Sequence, residues 1–210
     1  MRFEEIRAAH PLLAQLPEET LARLDVFAQL LRKWQRSMNL IGSATLSDFW
    51  IRHVADSLQV SSAEPNARRW VDLGSGAGFP GLVTAIKYAD DPGAKVHLID
   101  ADQRKCAFLR EAVRITAAPA VVQCGRIEKI LPELTDLVDA ISARAVAPLS
   151  VLLGYASPLL EKGAIGLFLR GKDFEAELTA ALTAGKYIIT TIQSQTCSTA
   201  RLLRVIYRRD

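Results

Sequence analysis

Trp70-Val71-Asp72-Leu73-Gly74-Ser75-Gly76-Ala77-Gly78-Phe79-Pro80-Gly81 is the stretch whose reading decides the fold. An apolar strand ends in an acid and a leucine. Three glycines alternate with small residues, and a helix is expected over Gly81 to Lys87. Such a turn needs backbone angles that a Cβ resists, and it lets the main chain approach a ligand closely. The helix behind it offers free N–H groups and the positive end of its dipole to a negative group.

The loop has no GxxxxGK[ST] pattern, so a phosphate cradle with its lysine is not expected. Gly76 to Gly81 does match GxGxxG, the dinucleotide form, but that match alone is weak. The spacing Asp72-x-Gly74-x-Gly76-x-Gly78 is the usual form for a loop that holds S-adenosylmethionine. That compound carries a carboxylate and no phosphate, so a tight loop without lysine suits it.

Outward from this loop, strands and helices alternate. Strands are expected at Lys95–Asp100, Ala120–Gln123, Val138–Ser142, Ile165–Leu169, Ile188–Ile192 and Leu203–Tyr207, the last two as a hairpin, with a helix over Arg104–Ile115. This order predicts an α/β fold: a mostly parallel seven-stranded sheet, Rossmann-like, with helices on both faces. Ligands in such sheets bind beyond the carboxyl ends of the strands, at the switch point. Residues 1–65 differ in character. Leu21, Leu24, Phe27, Leu30, Leu31 and Trp34 mark one apolar helix face, with Pro17-Glu18-Glu19 at its start. A second helix is expected from an N-cap at Ser47 through Phe49, Val54 and Leu58. The expected organisation is an N-terminal helical extension over 1–65 and a ligand-binding domain over 66–210.

Asp100 ends the second strand, where a carboxylate can accept from both hydroxyls of a ribose. It supports an adenosine cofactor without separating S-adenosylmethionine from NAD. After the third strand, Ile127 and Glu128 stand where an adenine ring is flanked. After the fourth comes Ser142-Ala143-Arg144-Ala145-Val146, with Arg144 placed to meet a carboxylate or a phosphate. The Asn/Asp-Pro-Pro-aromatic run of adenine-N6 or cytosine-N4 methylation is absent here, and so is the cysteine nucleophile of cytosine-C5 methylation. Arg52, His53 and Asp56 share a helix face and can form a polar cluster. On these residues alone an NAD-dependent oxidoreductase, a small-molecule methyltransferase and a non-catalytic binding module stay open.

Composition narrows the setting. The 210 residues are half hydrophobic, enough for a full core, and the formal net charge is only +3. That excess does not by itself mark a nucleic-acid binder. Cys106, Cys124 and Cys197 have neither zinc spacing nor a CxxC pair, so no metal is expected and reduced thiols in a cytoplasmic protein are. No secretory leader and no membrane span are expected from the apolar runs.

The whole set resembles the bacterial 16S rRNA methyltransferase G family, also called glucose-inhibited division protein B. The resemblance is carried by Lys33-Trp34, Met38-Asn39-Leu40, Arg52-His53-Val54-Ala55-Asp56-Ser57 and the glycine loop ending Phe79-Pro80-Gly81. It continues through Asp100, Arg104-Lys105, Phe108-Leu109-Arg110, Arg126-Ile127-Glu128 and Ile141-Ser142-Ala143-Arg144-Ala145. It implies a class I fold and methyl transfer from S-adenosylmethionine to N7 of a guanine in a decoding-region loop of 16S rRNA. The partner implied is 16S rRNA or the small ribosomal subunit, met by a monomer. It implies cofactor contacts from Gly74, Phe79, Ile127, Glu128 and Arg144, to which the loop and strand reading adds Gly76 and Asp100; Arg52 and His53, by their helix face, and Arg170, after the fifth strand, are expected at the substrate. Where the family often has Leu-Lys-Gly, this chain has Leu169-Arg170-Gly171, and Arg and Lys are not equivalent at a close contact. No general base is expected, because guanine N7 has a free lone pair and no proton to lose.

Overall fold

A computed structural model describes residues 2–134, 137–172, 174–183 and 185–209. The sheet has seven strands: β1 (Arg69–Leu73), β2 (Lys95–Asp100), β3 (Ala120–Cys124), β4 (Ala140–Arg144), β5 (Ile165–Arg170), β6 (Tyr187–Gln193) and β7 (Arg201–Tyr207). Their spatial order is β3-β2-β1-β4-β5-β7-β6. Strands β1 to β5 pair in parallel, while β7 runs antiparallel to both β5 and β6. The order turns back between β1 and β4, and that switch point opens a crevice at the strands' carboxyl ends.

The helices are α1 (Phe3–Ala9), α2 (Pro11–Ala14), α3 (Glu18–Gln35), α4 (Asp56–Ala63), α5 (Gly81–Lys87), α6 (Gln103–Thr116), α7 (Ile127–Ile130), α8 (Leu149–Glu161) and α9 (Glu175–Thr183). They cover both faces, and the period-two alternation of the strands decides which face each residue feeds. Trp70, Val96, Leu98, Leu167 and Leu169 point into one core with α1 to α6. Val71, Leu73, Ile99, Ile141 and Phe168 point into the other, with α7 to α9. The helices before β1 therefore share a core with the sheet. No helix among the described residues is long and apolar enough to cross a membrane.

Three local expectations shift. β4 starts at Ala140, two residues later than its apolar pattern suggests. Asp139 is occupied elsewhere: its carboxylate accepts from the N–H groups of Arg68 and Arg69 at 3.0 and 2.9 Å, tying down the start of β1. Ser47 lies in a turn and caps no helix. The chain instead enters a π-helical turn over Trp50–Ala55, which runs directly into α4. Pro17 is the N-cap of α3 rather than its first residue.

An aromatic cluster fixes the N-terminal helices over the glycine loop. Phe27 of α3 lies 5.5 Å from Phe79 and 6.2 Å from Phe108, and Phe49 lies 5.9 Å from Phe79, between ring centres. Offset and edge-on contacts of this kind add to the area that the rings bury. Phe79 is thus buried by residues far from it in sequence, and its loop is held from the helical side.

Candidate functional site

Two crevices open at the carboxyl ends of β1 and β4, and they share Arg144, Ala145 and Val146 as a common wall. The smaller, about 330 Å³, is lined by Gly74, Ser75, Gly76, Phe79 and Asp100, with Leu40, Ile41 and Lys105 opposite. The larger, about 690 Å³, is lined by Arg52, His53, Asp56, Arg170 and the β6–β7 connection at Thr196, Cys197 and Thr199.

The glycine loop is built as its sequence requires. Gly74, Gly76 and Gly78 all have positive φ, at 64°, 55° and 93°. A Cβ on Gly74 would also lie 2.7 Å from a Val146 methyl. Behind the loop, Asp72 is fully buried and its carboxylate accepts from the Ser142 hydroxyl at 2.6 Å. Burial pushes the Asp72 carboxyl up to about 6, against the pull of Ser142, Ser75 and the Gly81 backbone. This pair locks the ends of β1 and β4 to each other.

Asp100 stands at the end of β2. Its two oxygens accept from the backbone N–H of Gly76 and of Asp102, each at 2.8 Å. A carboxylate has about four acceptor positions. One on each oxygen is left for a diol. Asp102, not Asp100, caps α6, accepting from the N–H groups of Arg104 and Lys105.

Arg144 is the hinge between the two crevices. Its Nη1 donates to the Arg52 carbonyl at 3.1 Å and to the Asp56 carboxylate at 3.2 Å, and its Nη2 lies 3.0 Å from His53 Nδ1. Its guanidinium sits 5.2 Å from the centre of the Phe79 ring. A guanidinium only donates, so His53 Nδ1 accepts and Nε2 carries the hydrogen. Nε2 then donates to Thr45 Oγ1 at 2.8 Å, and Thr45 donates to the Gly42 carbonyl at 2.8 Å. Burial, then Arg144, then Arg52 lower the His53 pKa to about 4, so the ring is neutral at physiological pH. Asp56 also accepts from Gln59 at 2.8 Å and from Thr196 at 2.6 Å.

Arg144 brings the His53 and Asp56 side chains together and meets Arg52 at its backbone carbonyl. The structure places other residues differently. Ile127 is buried in the second core, and Glu128 turns to Arg126 at 2.9 Å. Neither is among the described residues lining these crevices. Arg170 faces the larger crevice but is engaged by the Ala147 carbonyl and by Glu177. The reading of the sequence missed Leu40, Ile41 and Lys105, and the three β6–β7 residues. Thr196 meets Asp56 across 140 positions, a contact that no local pattern can signal.

The smaller crevice fits S-adenosylmethionine in its donor set. Asp100 offers free acceptor positions for a ribose, Leu40, Ile41 and Phe79 offer apolar surface, and Arg144 and Lys105 are cations suited to a carboxylate. Among the described residues, no group of three or more His, Cys, Asp or Glu side chains is placed to hold a metal ion.

Comparison with known proteins bears on this geometry. Residues 20–201 match the family model for rRNA small subunit methyltransferase G. Proteins named ribosomal RNA small subunit methyltransferase G are similar along most of the chain. The one from Bradyrhizobium diazoefficiens is 52% identical over 169 residues, covering 80% of this chain and 65% of that protein. The one from Nitrobacter winogradskyi is 51% identical over 175 residues, covering 83% and 63%. The one from Methylorubrum extorquens strain PA1 is 48% identical over 187 residues, covering 89% and 88%. The chain thus spans just under two thirds of the length of the first two. Among solved structures, the O-methyltransferase TomG from Streptomyces achromogenes in complex with SAM superposes with a TM-score of 0.60 at 17% identity, covering 89% of this chain and 90% of that one. SAH-bound methyltransferase PaMTH1 from Podospora anserina gives 0.56 at 16%, covering 92% and 98%. At that identity the likeness is one of fold: a Rossmann-like methyltransferase architecture.

Proposed function

We propose that this chain, which belongs to the rRNA small subunit methyltransferase G family, transfers a methyl group from S-adenosylmethionine to N7 of a guanine in 16S rRNA. The observation that carries the reading is the common wall. Donor and acceptor crevices meet at Arg144, Ala145 and Val146, so two reactants held there face each other across one segment of chain.

When bound, S-adenosylmethionine supplies a methyl group on a sulfonium, to which guanine N7 gives its lone pair with no proton to lose. In this reading Gly74, Gly76, Phe79, Asp100 and Arg144 hold the donor. Ile127 and Glu128, at the turn from β3 into α7, stand toward its adenine end in this reading. The larger crevice takes the base, with Arg52, His53 and Arg170 on its wall and Arg170 turned to Ala147 and Glu177. Neutral His53 is no acid, and the reaction asks for no base. What the residues contribute is orientation and the field around a positive charge that moves from sulfur to the purine. A base in a stacked helix cannot reach the crevice, so it is presented from a loop or unstacked.

The helices over 1–65 act as an extension to the methyltransferase domain over 66–210, supplying one wall of the acceptor crevice. The reading takes the protein as a cytoplasmic monomer acting on 16S rRNA or the small subunit. The test is incubation with methyl-labelled S-adenosylmethionine and small-subunit particles lacking the modification, followed by mapping of the label. Label on N7 of one 16S guanine is expected. Label on another atom, or none while S-adenosylhomocysteine still binds, overturns the substrate.

A further inference from the structure

Arg170 ends β5, and its Nη1 donates to the Ala147 carbonyl at 2.8 Å. Its Nη2 pairs with the Glu177 carboxylate on α9. The same Glu177 oxygen accepts the N–H of Leu149 at 2.9 Å. The segment joining β4 to α8 is therefore held at two points by side chains from β5 and α9. That segment is the wall shared by the two crevices. Within it Ala145 has φ 53°, a left-handed conformation that a residue with a Cβ adopts only when its surroundings impose it. The next residue, Val146, packs so closely on Gly74 that no side chain fits between them.

We propose that Arg170 and Glu177 are a positioning pair. They fix the wall between donor and acceptor crevices, and so the alignment of acceptor nitrogen with methyl group, without touching either reactant. The inference rests on the methyl-transfer reading above. Arg170 is only 13% exposed in its side chain, and two of its nitrogens are already engaged within the protein. Two of its five N–H donors are spent on these partners, which turn the head of the fork toward the β4–α8 segment. The arrangement also suits arginine rather than lysine: two partners in different directions need two nitrogens in a rigid fork.

The test compares Arg170→Met, Arg170→Lys and Glu177→Gln with the wild type. Three quantities are read: kcat and KM for methyl transfer to unmodified small-subunit particles, affinity for S-adenosylhomocysteine by calorimetry, and Tm. In Arg170→Met and Glu177→Gln, kcat is expected to fall about ten- to a hundredfold, as misplacement of a reacting group by an ångström or so does. KM for the particles and S-adenosylhomocysteine affinity should change little, and Arg170→Lys, which keeps one partner, should fall between. A raised KM at unchanged kcat would make Arg170 an RNA contact and overturn the proposal. A lowered Tm with both constants held would reduce the pair to scaffolding and overturn it equally. Should Arg170→Met fail to fold, Glu177→Gln and Arg170→Lys decide the matter. An inactive wild type that still binds S-adenosylhomocysteine defeats the methyl-transfer reading itself, whereas an active wild type with unaffected variants defeats only the pair.

Discussion

Asp100 accepts the backbone N–H of Gly76 at 2.8 Å, so the acid at the end of β2 shapes the loop at the end of β1. Its other oxygen accepts from Asp102, where α6 begins. One carboxylate thus joins the donor loop to the next helix, and its remaining lone pairs face the smaller crevice. Asp100→Asn is nearly the same size but presents one oxygen and one NH₂ group. One of the two backbone N–H groups would then face a donor. Each hydrogen bond to a charged group contributes about 1.5–3 kcal/mol. Asp100→Asn should therefore weaken S-adenosylhomocysteine binding by at least about tenfold, roughly 1.4 kcal/mol. Wild-type affinity in that variant, measured by calorimetry, would remove Asp100 from the donor site.

The parts of this arrangement that the sequence makes legible are those written locally. The glycine spacing, the acid ending β2 and the alternation of strands each leave a signature within about ten residues. The start of β4 is less legible, because whether Asp139 belongs to the strand depends on its bond to the backbone of Arg68 and Arg69, about 70 residues away. The π-helical turn at Trp50–Ala55 is written in no capping residue. It follows from packing Phe49 and His53 against Phe79, at 5.9 and 4.9 Å between ring centres. The far wall of the larger crevice comes from the β6–β7 connection, whose role depends wholly on where the hairpin lands. Ile127 and Glu128 fit the pattern by position after β3, but the core takes one and Arg126 the other.

His53 gives the fold a pH dependence of definite sign. The groups facing it are Arg144 and Arg52, which disfavour its protonation, and Asp56, which Arg144 engages. Its folded pKa of about 4 lies below the ordinary 6.5, so the unfolded chain takes up the proton first as pH falls. Stability from this group is intact above about 6.5 and is lost as pH drops through the window from 6.5 to 4. Asp72 acts in the opposite sense. Raised from 3.8 to about 6, it favours the folded state as pH falls through that range. The His53 contribution is isolated by comparison with His53→Gln, whose amide can still accept from Arg144 and donate to Thr45. The Tm difference between wild type and variant should be flat above pH 6.5 and move against the wild type below it. A difference constant through that window would mean that His53 is not held neutral.

Cys197 should be a reactive thiol, in addition to the exposed Cys124. It lines the larger crevice 3.3 Å from the Thr199 hydroxyl, and Thr199 and then Arg52 lower its pKa to about 7. Cys106 is buried, and desolvation pushes its thiol up to about 12. Alkylation requires thiolate and access. Iodoacetamide at neutral pH is expected to label Cys197 rapidly and Cys106 only on unfolding. Arg52→Ala should slow labelling of Cys197 by raising its pKa. Mass spectrometry of timed samples reads both rates, and an unchanged rate in Arg52→Ala would show that the guanidinium does not act on the thiol.

Gly81 and Gly154 both lie in helices, and the same substitution should act on them with opposite sign. Gly154 is exposed in the middle of α8, has no positive φ, and a Cβ there would meet nothing within 4 Å. Alanine in its place reduces the freedom of the unfolded chain at no cost to packing, so Gly154→Ala should stabilise by about 0.5–1 kcal/mol. Gly81 opens α5, and a Cβ there would overlap the Asp72 side chain, which Ser142 fixes in a fully buried position. Neither can give way without disturbing the junction of β1 and β4. Overpacking in a core costs about 1–3 kcal/mol, so Gly81→Ala should lower Tm by several degrees. It should also weaken S-adenosylhomocysteine binding, because α5 begins where the glycine loop ends. Chemical denaturation of the two variants beside the wild type gives both signs at once. Stabilisation by Gly81→Ala would mean that Asp72 does not lie against the start of α5.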